Sequence, residues 1–261
     1  MTHNVTIVTA LYDIKRETQG DGRTMDEYFE WFERTLQLNA TFVVYIQDTL
    51  LTRFGNIMQR LAKSSVTVYV TKLEEIPYYR YKDEMQNVLQ SEQYKTAIAF
   101  PSRIECKLAL YNIIQYSKLD WIKQTIRNNP YNSDYFFWMD AGCSRFFQDT
   151  DLNKPWPNQS KLNPNKIIIQ GRNDLYQFNN WDYLHLDAVN LLCGTLFGGH
   201  KNTMLWLCKK INETFEHLLK TNIVNNEQIA LAIVWKQHQS EFDIFINNTS
   251  FHLPLFKYLS Y

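Results

Sequence analysis

Short apolar segments alternate along the chain with longer segments whose apolar residues recur at helical spacing. The short segments are rich in β-branched and aromatic residues, which is typical of buried strands. They cover residues 5–11, 42–46, 66–70, 135–139 and 166–169. Because strands that alternate with helices pair in parallel through right-handed crossovers, the pattern predicts an α/β fold. We expect a mainly parallel sheet with helices on both faces.

Capping motifs mark the start of several of the longer segments. The motifs are Thr24 with Glu27, Ser102 with Glu105, and Asn225 with Gln228. In each motif the first side chain can accept a backbone N–H bond while the Glu or Gln bonds back, which is the arrangement of a helix N-terminus. We therefore predict helices from these motifs to about residues 38, 116 and 237.

Composition and charge indicate how many domains the chain forms and which partners are expected. The 261 residues contain no Pro/Gly/Ser-rich linker, so we expect a single domain over residues 1–261. The 27 Lys and Arg residues balance 27 Asp and Glu residues, which gives a formal net charge of zero. Nucleic acid is therefore not an expected partner, because its phosphates are bound mainly by a cationic surplus.

Neither a signal peptide nor a membrane span is expected from the sequence. The N-terminus lacks a basic start, a long apolar stretch and a small-residue cleavage site. The longest strictly apolar run, residues 229–235, is far shorter than the roughly 18 residues of a spanning helix. We therefore expect a cytoplasmic protein with no integral membrane segment.

Polar residues follow the predicted strands at the edge where open parallel sheets bind ligands. Tyr12 and Asp13 follow the first strand, and Asp140 follows the fourth. Five apolar residues precede Asp140 and small residues follow it, so we predict this carboxylate at a strand tip that a ligand or metal can approach. The alternative is an ordinary turn, because Asp and Gly are common after strands.

Two further groups could bind an anion. Arg103 and Lys107 lie four residues apart near a predicted helix start, where backbone amides favour negative charge. They could equally form a solvated surface pair. Gly198 and Gly199 end a glycine-containing apolar segment before a predicted helix, an arrangement that suggests anion binding, although a simple turn is the alternative. The segment matches neither G-x-G-x-x-G nor a Walker loop, which disfavours a redox cofactor or ATP.

The segments TIVTALYDIKR and FFWMDAGCSRF resemble the HtrL/YibB family, whose members are similar to nucleotide-sugar glycosyltransferases of the GT-A fold. The resemblance covers most of the chain. It implies a single-domain, GT-A-like (Rossmann-like) fold. It also implies transfer of a sugar from a nucleotide-sugar donor, with a UDP-sugar favoured, to a hydroxyl group of a glycan, glycolipid or protein.

In GT-A enzymes a strand-end Asp-x-Asp holds a divalent metal against the donor diphosphate. Asp140 matches the first acid, but Gly142 stands in place of the second. The resemblance implies Mn²⁺ or Mg²⁺ bound by Asp140 and His252, and imidazole favours Mn²⁺. A lone histidine such as His252 is more often not a ligand. The lost acid predicts weaker metal binding or more reliance on Lys and Arg, with Arg145 as a further candidate.

The resemblance also assigns roles to the remaining candidates. It implies that Arg103 and Lys107 contact phosphate and that Gly198 and Gly199 permit close approach of the donor. Glu227 matches the acceptor-facing acid and would be the general base of an inverting enzyme, although it could simply favour a helix start. The residues expected near the nucleoside are Thr9, Ala10, Tyr12 and Asp13.

Other functions remain open at this point. A GT-A scaffold with an incomplete acidic motif could retain nucleotide or sugar binding and lose turnover. A hydrolase is disfavoured, because the sequence contains no G-x-S-x-G elbow or Cys/His signature.

Overall fold

The computed structural model describes residues 4–187, 189–246 and 253–261. Each strand predicted from the sequence is present, within two residues of its expected ends. The strands are β1 (Val5–Leu11), β2 (Thr41–Gln47), β3 (Val66–Thr71), β4 (Tyr135–Met139), β5 (Ile167–Gly171), β6 (Leu192–His200) and β7 (Phe242–Phe245). The last two were not predicted, because glycines interrupt the apolar run of β6 and β7 has only four residues.

The strands form one seven-stranded sheet in the order β3-β2-β1-β4-β6-β5-β7. β1 pairs in parallel with β2 and β4, β2 with β3, and β5 with β7. β6 is antiparallel to both of its neighbours, β4 and β5. The expected mainly parallel sheet is therefore confirmed.

Helices cover both faces of the sheet, as predicted. The helices are α1 (Arg16–Gln19), α2 (Met25–Leu36), α3 (Leu51–Leu61), α4 (Lys82–Gln90), α5 (Glu92–Ala97), α6 (Ala109–Asn128), α7 (Leu184–Asp187), α8 (Lys201–Lys220), α9 (Glu227–Gln237) and α10 (Pro254–Ser260). Successive residues of each strand enter opposite cores because strand side chains alternate between faces. Phe136 and Trp138 pack with α6, α8 and α9, whereas Phe137 and Met139 pack with α2, α3 and α10.

The helix starts agree with the capping motifs to different degrees. Thr24 and Glu27 form the predicted capping box of α2. Asn226, rather than Asn225, caps α9 by accepting a bond from the Gln228 N–H. The helix start predicted at Ser102 was wrong, because α6 begins only at Ala109.

The capping box of α2 gives a first stability prediction. Thr24→Ala removes the acceptor for the Glu27 N–H, which lies 3.2 Å from Thr24 Oγ1. We expect the free energy of unfolding to fall by about 1 kcal/mol, measured by urea denaturation. Thr52→Ala, an exposed position inside α3, is the matched control. Equal unfolding curves for the two variants would show that the box contributes nothing.

No helix among the described residues is long and apolar enough to cross a bilayer.

The sheet order also locates a crevice. The chain runs outward from β1 to β2 and β3, then returns to place β4 on the other side of β1. Ligands of open α/β sheets bind beyond the carboxyl ends of the strands at such a reversal of strand order. The carboxyl ends of β1 and β4 are therefore where a binding site is expected.

Candidate functional site

A cavity of ≈ 260 Å³ lies at the carboxyl ends of β1 and β4. Ala10 and Asp140 contribute to its wall from the ends of these strands, and Thr195 contributes from β6. The rest of the wall comes from β4, α1, α2 and α6 and from the segments that follow β1 and β4. The cavity thus occupies the crevice that the strand order predicts.

Asp140 lies at the tip of β4, where the sequence placed it, and lines the cavity. Its backbone N–H donates to Thr195 O over 2.9 Å, which extends the pairing of β4 with β6 by one residue. Trp138, two residues earlier on the same face of the strand, donates from Nε1 to Asp140 Oδ1 over 2.7 Å. Oδ2 has no hydrogen-bond partner in the described part of the chain, and the side chain is 30% exposed. One oxygen is therefore fixed and the other can meet a ligand.

Lys118, on α6, links Asp140 to the protein interior. Its Nζ lies 3.0 Å from Asp140 Oδ1 and 2.8 Å from Glu227 Oε1, and it donates to Gly194 O over 3.1 Å. The side chain is only 1% exposed. Burial alone would lower the pKa of Lys118, but the two carboxylates outweigh it and the pKa is raised. Lys118 is therefore held as an ammonium between a cavity carboxylate and a buried one.

Glu227 is the first residue of α9 and is completely buried. Burial raises the pKa of its carboxyl group, and the ammonium of Lys118 opposes that shift. The carboxylate presses against Gly194, where an added Cβ would lie 2.0 Å from Glu227 Oε1. Glu227 does not line the cavity, so this placement gives no support to the predicted contact with an acceptor hydroxyl.

The loop after β4 is fixed to α2 by hydrogen bonds. Thr35 Oγ1 lies 2.9 Å from Ala141 O and accepts a bond from the Ser144 N–H at 3.2 Å. Ser144 Oγ donates to Trp31 O over 2.7 Å. Arg145, one residue later, extends over the Trp31 ring, with its guanidinium carbon 4.6 Å from the ring centroid. The loop thus presents Arg145 to the cavity from a fixed base.

The connection between β1 and α2, which includes α1, brings two more arginines to the cavity, Arg16 and Arg23. Both pair with Asp21, at 2.6 Å from Arg16 Nη2 and 3.3 Å from Arg23 Nε. Arg16 Nη1 also donates to Tyr28 Oη. One carboxylate therefore compensates two guanidinium groups on this side of the cavity.

The residues predicted near a nucleoside have different placements. Ala10, Tyr12 and Asp13 line the cavity, whereas Thr9 is fully buried. The Tyr12 ring is 7% exposed and stacks on Trp121 with centroids 5.3 Å apart. Its hydroxyl lies 2.6 Å from Thr71 Oγ1, and burial raises its pKa to about 12. The ring already packs in the core, so this placement gives no support to the predicted stacking of Tyr12 on a base.

Asp13 shapes the loop after β1. Its Oδ1 accepts the backbone N–H of Lys15 over 2.8 Å, and Lys15 Nζ pairs with the other oxygen. The backbone N–H of Asp13 donates to Gln47 Oε1 over 2.9 Å. These bonds hold Asp13 at the cavity wall and engage both of its carboxylate oxygens with Lys15.

The two glycines predicted to cradle the donor do not line the cavity. Gly198 and Gly199 lie inside β6, opposite Phe137 and Phe136. A Cβ at Gly198 would lie 2.4 Å from the Phe137 ring, so packing between strands explains this glycine. Gly194 is the glycine of this segment that approaches the site, through Lys118 and Glu227.

Arg103 and Lys107 were also misplaced by the sequence prediction. Arg103 precedes a 3-10 turn, and its Nη2 lies 2.5 Å from Glu105 Oε1. Lys107 is exposed, and neither residue lines the cavity. His252, the second predicted metal ligand, lies outside the described residues.

The described residues do not fit a protein-bound divalent cation. Within them, no group of three or more His, Cys, Asp and Glu side chains could hold a metal ion. At the cavity, the fixed oxygen of Asp140 already contacts the Lys118 ammonium. A cation placed there would meet that charge as well as the nearby guanidinium groups.

Several residues of this site were missed in the sequence. Lys118 shares one face of α6 with the cavity residues Tyr111 and Gln115, at helical spacing. A lysine on such a partly apolar face is the signal that could have identified it. Arg16 and Arg23 were missed because they lie beyond Tyr12 and Asp13, the strand-end residues that the apolar pattern of β1 indicates.

Comparison with known proteins places the chain in a family. A search of curated proteins found no match. Residues 3–257 match the model of the HtrL/YibB family, which is described as a bacterial protein of unknown function. The match extends over nearly all of the chain, including both cavity loops. The chain therefore belongs to the HtrL/YibB family.

Proposed function

We propose that this protein is a glycosyltransferase that moves a sugar from a nucleotide-sugar donor, with a UDP-sugar favoured, to a hydroxyl acceptor on a glycan, glycolipid or protein. The observation that carries the proposal is the cavity at the ends of β1 and β4. It combines the partly exposed carboxylate of Asp140, at the tip of β4, with the guanidinium groups of Arg16, Arg23 and Arg145. A donor of this class carries an anionic diphosphate leaving group, which positive charges of the protein stabilise. It also carries an electron-poor anomeric carbon, beside which a negative charge is favourable.

The fold supports the same proposal. The mainly parallel sheet, the helices on both faces and the crevice at the strand-order reversal agree with a single-domain GT-A-like protein. The cavity of ≈ 260 Å³ is slightly smaller than the roughly 300–1,000 Å³ of most ligand pockets. We infer that it holds the diphosphate and sugar, while the nucleoside extends beyond its mouth.

The chemistry follows from the charges in the cavity. The acceptor oxygen forms a bond to the anomeric carbon while the bond from that carbon to the phosphate oxygen breaks. The leaving nucleoside diphosphate takes the electron pair, and guanidinium groups stabilise its negative charge. Positive charge develops at the anomeric carbon in an oxocarbenium-like transition state. Asp140 Oδ2 accepts the proton of the acceptor hydroxyl, the role first predicted for Glu227.

Two observations favour a second candidate, a nucleotide- or sugar-binding protein without turnover. Glu227 is buried in an ion pair and cannot meet an acceptor. The residue two positions after Asp140, at the tip of β4, is Gly142 rather than a second acid. A binding protein would keep the affinity of the cavity for a nucleoside diphosphate but would not consume a donor.

A ligand panel distinguishes these two functions. At about 100 times its Kd, a nucleoside diphosphate should stabilise the protein by roughly 2.7 kcal/mol. For a chain of this size that is roughly 5–10 °C in Tm. We expect such a shift with UDP or another nucleoside diphosphate, together with release of that diphosphate from the matching sugar donor, measured by ³¹P NMR.

A thermal shift without release of diphosphate from any donor, in the presence of a range of hydroxyl acceptors, would favour the binding protein. The absence of both signals across the panel would refute both candidates.

A further inference from the structure

We infer that the donor diphosphate is held by the guanidinium groups of Arg145, Arg23 and Arg16, without a divalent cation bound by the protein. This inference rests on the proposed function for the identity of the anion as a diphosphate. The three arginines form an anion site in this cavity. They supply the positive charge that the sequence prediction assigned to a divalent metal.

The first argument is the incomplete charge compensation of the arginines. All three line the same cavity, but Asp21 is shared between Arg16 and Arg23. No carboxylate of the described residues lies within ion-pair distance of Arg145. Loss of hydration and repulsion from Arg23 and Arg16 outweigh the opposing effects of Tyr28 and Asp140 and lower the pKa of Arg145, although the side chain remains accessible. Grouping like charges is unfavourable in the absence of an anion, and a diphosphate would compensate them.

The second argument is the fixed orientation of Arg145. Its Nε donates to Gly142 O over 2.9 Å. The guanidinium lies against Trp31 at 4.6 Å and Phe146 at 5.1 Å from the ring centroids. Within the described residues, the terminal Nη groups make no hydrogen bond, so both remain available to phosphate oxygens. A planar guanidinium held in this way can bind phosphate in a bidentate manner with little further loss of entropy.

The third argument is the surroundings of Gly142, which stands where a second acid would complete Asp-x-Asp. A Cβ at this position would lie 3.4 Å from Arg145 Nε and 3.7 Å from Nη2. It would also lie 3.2 Å from Trp31 Cε3. A carboxylate here would therefore pair with Arg145 rather than face an open metal position. The φ of Gly142 is −85°, so the backbone itself does not exclude a side chain.

Binding of inorganic pyrophosphate tests the inference directly. Isothermal titration calorimetry of the full chain is carried out with EDTA and, separately, with Mn²⁺. We expect pyrophosphate to bind in EDTA, and Arg145→Met and Arg23→Met to weaken that binding about ten- to hundredfold each. Arg127→Met is the matched control, because Arg127 is exposed on the last turn of α6 and does not line the cavity. We expect its affinity to equal that of the wild type.

Gly142→Asp provides an independent variant. The added carboxylate should neutralise Arg145 and weaken pyrophosphate binding in EDTA at least about tenfold. Circular dichroism and Tm establish that each variant is folded. A folded Gly142→Asp protein with unchanged affinity contradicts the inference, as does wild-type binding that requires Mn²⁺. Equal affinities of Arg145→Met, Arg23→Met and Arg127→Met would contradict it as well.

Donor turnover separates this inference from the proposed function. Release of nucleoside diphosphate that depends on Mn²⁺, with no pyrophosphate binding in EDTA, overturns the inference and leaves the glycosyltransferase intact. Pyrophosphate binding in EDTA that depends on Arg145, with no turnover of any donor, supports the anion site and leaves the protein without transferase activity.

Discussion

Lys118→Met is expected to lower the free energy of unfolding by about 3–5 kcal/mol, because it leaves the Glu227 carboxylate buried without its counter-charge. Glu227 is fully buried, and the ammonium 2.8 Å away is its cationic partner. Methionine preserves most of the volume of the lysine side chain, so loss of packing contributes little to the change in the free energy of unfolding. Urea denaturation monitored by tryptophan fluorescence measures the change.

The double variant tests whether the charge is the cause. Glu227→Gln in the Lys118→Met background replaces the buried carboxylate with a neutral group of similar size. If an unpaired charge causes the loss, the double variant should be more stable than Lys118→Met alone. Destabilisation equal to the sum of the two single changes would instead mean that the residues act independently. Ile122→Val is a suitable control for a small packing loss on the same helix, because Ile122 is fully buried in the core.

Under the proposed function, Asp140→Asn is expected to reduce donor consumption by about 10²–10⁴-fold, the range associated with loss of a general acid or base. The amide oxygen can still accept the bond from Trp138 Nε1, and Lys118 retains Glu227, so the fold should persist. Nucleoside diphosphate binding should be largely preserved, because the guanidinium groups are unchanged. Initial rates of diphosphate release and a Kd for the nucleotide measure the two effects.

Asp120→Asn is the matched control for this prediction. Asp120 lies on α6, is partly exposed, pairs with Lys123 at 3.6 Å and does not line the cavity. Its replacement should leave the rate of transfer close to that of the wild type. Similar rates of diphosphate release for the Asp140 and Asp120 variants would show that Asp140 has no catalytic role.

The sheet was largely predictable because its strands are short, apolar and bounded by polar residues. β1 and β4 have the predicted ends, and the mainly parallel arrangement follows from their alternation with helices. β6 escaped prediction because Gly194, Gly198 and Gly199 resemble a loop in sequence, although packing against neighbouring side chains is what requires them. Glycine in a strand marks a close approach that only the tertiary structure reveals.

The site was less predictable, because its charges come from distant parts of the chain. Asp140 could be found from a local pattern, the apolar run that precedes it. The pairing of Lys118 with Glu227 joins residues 109 positions apart, and neither residue alone indicates the other. Ser102 and Glu105 have the spacing of a capping box, but Glu105 pairs with Arg103 and the helix starts further on.

The position of β4 has a consequence for assembly. Among the seven strands of the described residues it is the middle one, with three strands on each side, so the cavity lies away from the edge strands β3 and β7. Another polypeptide that adds a strand at β3 or β7 would lengthen the sheet without covering Asp140. Oligomers built through those margins, or attachment of the protein to a support there, would leave the entrance to the cavity unobstructed.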